Sequence, residues 1–157
     1  MNQRIARLLK LLTLKKQATR NAAEAWLQAR EQFTAHKARH EQLVGYRSDY
    51  MQQLSDIGDV GCTAGHVRNR INFIGQLDGA LSQLNQHLAQ LAKQRSQAEA
   101  IYLKAKSEQD AVKRLIERVE QQENVKKERI EQKESDEYAQ KQWYSKKSAI
   151  YSTKHGD

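Results

Sequence analysis

The stretch "DIGDVGCTAG", Asp56 to Gly65, holds three of the seven glycines in a chain of 157 residues that has no proline. Glycine supplies the left-handed backbone angles that a helix C-cap or a tight turn requires. Its flanks say what turns here. With Ile5 as position a of a heptad, the a sites before the glycines are Ile5, Leu12, Thr19, Trp26, Phe33, His40, Arg47 and Leu54. The d sites are Leu8, Lys15, Ala22, Ala29, His36, Leu43, Tyr50 and Ile57. Eleven of these sixteen sites are apolar, with no phase shift, which is the 3.5-residue repeat of a left-handed coiled coil.

A second track follows the glycines. Its a sites are Val67, Ile74, Leu81, Leu88, Arg95, Tyr102, Gln109, Ile116, Glu123, Ile130, Glu137 and Tyr144. Its d sites are Arg70, Leu77, Leu84, Leu91, Ala98, Ala105, Val112, Val119, Lys126, Lys133 and Gln140. The first track would continue at Gly61 and Arg68, whereas the second uses Val67, so the phase breaks at the glycines. The stretch therefore reads as the turn of a helical hairpin. The expected fold is all-α: two long helices in an antiparallel coiled-coil hairpin, with the C-terminal helix overhanging. The boundaries are helix 1 at about 3–57, the turn at 58–65 and helix 2 at about 66–150, in one coiled-coil domain over 1–157. Thr63 is the expected cap of helix 2. Sustained period-two alternation, the mark of strands, is missing.

A turn centred near residue 61 or 62 makes residue i of helix 1 face roughly residue 123 − i, so Trp26 faces 97, Phe33 faces 90 and Ile5 faces 118. Helix 1, about 80 Å long at 1.5 Å per residue, runs out where the second apolar track thins. Residues 121–157 are left without an intramolecular partner, although they carry Ile130, Tyr138, Trp143, Tyr144, Ile150 and Tyr151. That segment reads either as a frayed tail or as a docking helix that another protein completes.

The composition agrees with a thin seam. Two Phe and two Trp cannot fill a wide interior, and 29% charged residues with 38% hydrophobic ones match a long helix or coiled coil. The single Cys62 excludes an intramolecular disulfide and fits a reducing compartment. No run is long and apolar enough to span a membrane, and Lys10 interrupts the N-terminal leucines of what would otherwise resemble a signal peptide. The expected location is cytoplasmic. The net charge of +8 concentrates at the N-terminus, where residues 1–20 hold six basic groups and no acid. Such a pole is either a solvated helix end or a surface for an anionic partner.

Chemistry is not expected. There is no phosphate-binding loop and no Cys/His ligand set. His36 and His40 stand one turn apart, with His87 near their level, but no further ligand completes a coordination shell, so they read as polar seam residues that set register. A hairpin this thin offers no water-excluding pocket. The expectation is a non-enzyme without metal or cofactor. Gly75 and Gly79, four residues apart in helix 2, are read as thinning the hairpin or as neutral.

Two stretches resemble a known family. "YRSDYMQQLSDIGDVGCTAGHVRNRINFIGQLDGALSQ" (46–83) and "QKESDEYAQK" (132–141) are similar to the FliJ family of the flagellar type III export apparatus. The ordered combination of the glycine-rich turn, "INFIGQLDGAL" and "DEYAQK" carries the likeness, which extends over nearly the whole chain. The resemblance implies a non-catalytic, stalk-like coiled coil that binds and activates the flagellar export ATPase ring. It also implies contacts with the cytoplasmic domain of the export-gate membrane protein and with export chaperones, at the cytoplasmic face of the inner membrane. The implied gate-binding residues are Phe73, Leu77, Ala80 and Leu84, although Leu77 and Leu84 also lie on the d track. The implied ring-binding residues are Arg4, Arg7, Gln132, Lys133, Asp136, Glu137, Tyr138, Gln140 and Lys141. The alternatives are the equivalent stalk of an injectisome, a basic module on RNA or an anionic membrane, and a parallel homodimer. Nucleic acid is disfavoured because aromatics are not interleaved with basic residues along one face. A parallel dimer needs no mid-chain turn.

Overall fold

The computed structural model describes residues 3–60 and 64–154. They form two helices, α1 (Gln3–Val60) and α2 (Ala64–Lys154), packed against each other as in a hairpin. The expected break at 58–65 is too wide. Gly58 lies inside α1 and Gly65 inside α2, so the helices enter that stretch from both sides. A helical glycine costs only about 1 kcal/mol against alanine, so glycines can cluster near a turn without each ending a helix. A Cβ at Gly65 would meet open space, as it would at Gly75 and Gly79, so no close approach requires glycine at these positions. Gly61, Cys62 and the expected cap Thr63 lie outside the described residues.

The heptad pattern governs burial residue by residue. All sixteen a and d sites of α1 are buried or half-buried, and among its other residues up to Ile57 only Ala6, Lys16 and Ala23 are not exposed. In α2 every a site from Val67 to Glu123 and every d site from Arg70 to Val119 is buried or half-buried. The core is Ala22 of α1 with Ile74, Leu77, Leu81, Leu91, Val112, Ile116 and Val119 of α2. None of the described side chains is completely enclosed, because each layer contains one residue per helix and both outer faces meet water. Full burial of such a side chain is worth about 1.5–3 kcal/mol, so stability accumulates over many layers rather than at one centre.

Packing divides the chain into two units, Leu14–Gln109 and Met1–Thr13 with Asp110–Asp157. In the first, Trp26 stacks on Tyr102 with ring centroids 5.2 Å apart, and the Arg95 guanidinium lies 4.2 Å over the Phe33 ring. Both are a-to-a layers, and both correct the expected partners at 97 and 90. The reason is the tilt of helical side chains toward the N-terminus of their own helix. In an antiparallel pair that tilt carries α1 side chains away from the turn and α2 side chains toward it, so partners meet farther along α2 than a backbone count predicts. Flanking contacts run from d to the g position opposite and do follow the count: Lys15 to Glu108, His36 to His87 and Tyr50 to Phe73. Arg95 also shows how a cation occupies a seam site, its stem along the groove and its charge on a ring face.

The Lys15 Nζ donates to Glu108 Oε2 over 3.0 Å. This hydrogen bond, and then the Lys15 charge, hold the Glu108 carboxyl below the usual carboxylate range. A carboxyl with a lowered folded pKa adds stability above its unfolded pKa and loses it as pH falls through the folded value. Glu108→Gln is therefore expected to lower the melting temperature slightly near neutrality and not at all in strong acid. Thermal melts at both conditions check this, and an equal deficit in acid would show that the ion pair is not its source. The pair is solvent-exposed, so the effect is small and falls with added salt.

Candidate functional site

Glu123 is the last residue of α2 that is buried or half-buried among the described residues. From Asn124 to Ser152 every residue of α2 is exposed, and this run belongs to one unit with the start of α1. The run is held by local contacts: the Gln132 amide donates to Asp136 Oδ1 over 3.1 Å, and the Gln142 amide to the Tyr138 hydroxyl over 2.9 Å. Both have the i to i+4 spacing that supports a helix in water. Trp143 meets Tyr144 edge-on at 5.0 Å, and the Lys147 ammonium stands 4.8 Å over the Trp143 ring.

Seven of the nine residues that the resemblance implies for the ATPase ring, Gln132 to Lys141, lie in this run, and Arg4 and Arg7 are exposed on α1 in the same unit. They do not converge on one pocket. Glu137, Lys133 and Gln140 continue the a and d tracks, whereas Gln132, Tyr138 and Lys141 occupy other faces. At the root of the overhang Ile5 lines an open groove with Glu123, Lys127 and Ile130, beyond the expected position 118. Ile130 was singled out from sequence as an apolar residue of the overhang; the groove residues Lys126 and Lys127 were not, although Lys126 sits on the heptad track.

The four residues implied for the gate are divided by the fold. Leu77 is 6% exposed and belongs to the seam, and Leu84 is half-buried. Phe73 is exposed with its ring against Tyr50 at 4.5 Å, and Ala80 is exposed. Ala80 and Leu84 line one open groove with Arg39, Leu43 and His87. The two roles separate by substitution. Leu77→Ala is expected to cost about 2 kcal/mol or more of stability through the cavity it leaves. Phe73→Ala is expected to leave helicity intact, and the resemblance implies weaker binding of the gate's cytoplasmic domain. Circular dichroism melts beside a pull-down check both, and a collapse of helicity in Phe73→Ala would make that ring a core element.

The histidines are seam groups. His36 and His87 pack edge-on at 4.8 Å, and His36 Nδ1 lies 2.8 Å from the Gln32 carbonyl, to which it donates. Among the described residues no group of three or more His, Cys, Asp or Glu side chains is placed to hold a metal ion. Among them, too, no helix is long and apolar enough to cross a membrane.

Two long helices packed against each other through heptad sites, with the end of α2 exposed, define a helical coiled-coil protein. The family model described as "Flagellar FliJ protein" matches residues 3–148, and the chain belongs to the FliJ family. It is thus a non-catalytic component of the flagellar export apparatus. No curated protein and no solved structure gives a significant match.

Proposed function

We propose that this protein is the stalk-like component that binds and activates the flagellar export ATPase ring and links it to the export gate and to export chaperones. It would do so in the cytoplasm, peripherally at the inner face of the membrane. The observation that carries the reading is the α2 run from Asn124 to Ser152, exposed throughout, which bears the "QKESDEYAQK" signature. A ring that closes around this helix could reach all of its faces, which suits ring-binding residues that do not share one side. The exposed Arg4 and Arg7 add positive charge within the same unit. The gate contact falls on Phe73, Ala80 and Leu84, with Leu77 supporting them from the seam.

The test is the ATPase rate of the purified export ATPase with and without the full-length protein, at low and high salt. Stimulation that weakens with salt is expected, since the proposed contacts are rich in exposed charge. Absence of stimulation at both salt concentrations would remove the ring from this protein's function.

A further inference from the structure

The seam does not lose its heptad phase where it loses its partner. In the unit that joins residues 1–13 to 110–157, Val112, Ile116 and Val119 are buried and Glu123 is half-buried. Beyond them the a track goes on through Ile130, Glu137 and Tyr144, and the adjoining g positions are Arg129, Asp136, Trp143 and Ile150; the apolar members are Ile130, Trp143, Tyr144 and Ile150. These four side chains are 56–63% exposed, a large apolar presence on a single helix in water. The d track changes character instead of ending. Its sites are Lys126, Lys133, Gln140 and Lys147, all exposed. The same face that α1 covers earlier in the unit is thus continued by Ile130 and by the Trp143, Tyr144 and Ile150 cluster, with lysine at three of four d sites; Asp136, Glu137 and Gln140 separate the two apolar parts, and basic groups outnumber acidic ones on the face.

A coiled-coil seam with lysine at three of four d sites selects its partner by charge. A second copy in register would set lysine against lysine, which disfavours self-pairing. The charge is complementary to a helix with carboxylates at the facing positions and apolar residues beside them. Continuity with the α1 seam favours a helix over a lipid surface, because the strip keeps the geometry that already receives one. Lipid binding would need only a broad amphipathic face.

We propose that the a/d/g face of residues 126–150 is a docking site for one acidic amphipathic helix of a partner protein, which extends the coiled coil beyond the end of α1. The apolar contacts at Ile130, Trp143, Tyr144 and Ile150 provide the area, and the carboxylates pair with Lys126, Lys133 and Lys147. This goes beyond the ring reading, since it fixes the secondary structure and charge of the partner segment whichever protein supplies it.

The test uses the full-length protein and two synthetic peptides of about three heptads. One has leucine at the core positions and glutamate opposite the lysines; the other has lysine in place of that glutamate. Binding is followed by calorimetry and by Trp143 emission in a Trp26→Phe background. The glutamate peptide is expected to bind at least about tenfold more tightly than its lysine counterpart and to shift Trp143 emission to the blue. Lys133→Glu with Lys147→Glu, both at exposed positions, is expected to reverse the preference with unchanged helicity. Equal binding of the two peptides, or an unreversed preference, overturns the proposal. So does an emission shift on phosphatidylglycerol vesicles as large as that on the peptide, or a dimer in sedimentation that these substitutions dissolve. No ATPase is present, so failure here leaves the ring reading to its own experiment.

Discussion

Aspartate in place of Leu91 is expected to unfold most of the helical pair at moderate temperature. Leu91 is 4% exposed, among the most enclosed side chains of the seam. The substitution removes about 2–5 kcal/mol of leucine packing, and it places a carboxylate among apolar neighbours, where a charge without a partner costs several kcal/mol more. Typical domains have only about 5–15 kcal/mol in all. A seam two side chains thick cannot spread the loss over a wider core. Leu14, a leucine that is 68% exposed, provides the contrast. Leu14→Asp is expected to change stability by less than about 0.5 kcal/mol. Thermal melts of the two variants decide the matter. If both melt alike, burial at heptad sites does not hold this protein together.

That contrast shows why the fold was legible. A heptad repeat has a period that no strand or loop mimics, so burial of sixteen α1 sites could be read before any coordinates. The break was legible as a location and not as a width, because glycine permits a turn without imposing one. Gly58 and Gly65 therefore sit inside helices. The register was legible to within about one and a half turns. The remainder depends on the lean of side chains, which Trp26 and Tyr102 reveal only when both helices are in place.

The candidate contacts were less legible, for a reason visible at Leu77. A leucine on a d site reads the same in a sequence whether α1 or a partner covers it, and here α1 does. Phe73 differs because it occupies a g site, at the edge of the seam, where a ring can touch Tyr50 and still face outward. In the overhang the difficulty is reversed. Lys126, Lys133 and Lys147 look like a solvated face in composition, and only the persistence of phase beyond α1 marks them as one stripe.

Removal of residues 124–157 is expected to separate folding from function. No residue from Asn124 to Ser152 is buried or half-buried, so the seam up to Glu123 keeps its contacts without them. The stability of the truncated chain should stay within about 0.5 kcal/mol of the full-length protein, the range of changes that disturb no packing. Its stimulation of the export ATPase, by contrast, should fall to the basal rate of the enzyme alone, because "QKESDEYAQK" and the whole aromatic strip are gone. Binding to the gate domain through Phe73 should persist, and that persistence shows the loss is not one of general integrity. Stimulation that survives truncation would move the ring contact to the basic start of α1, around Arg4 and Arg7. Loss of both stimulation and gate binding with helicity intact would mean that the two contacts are coupled. Both contacts would lie on one helix, since α2 is continuous from Ala64 to Lys154 with no proline to interrupt it.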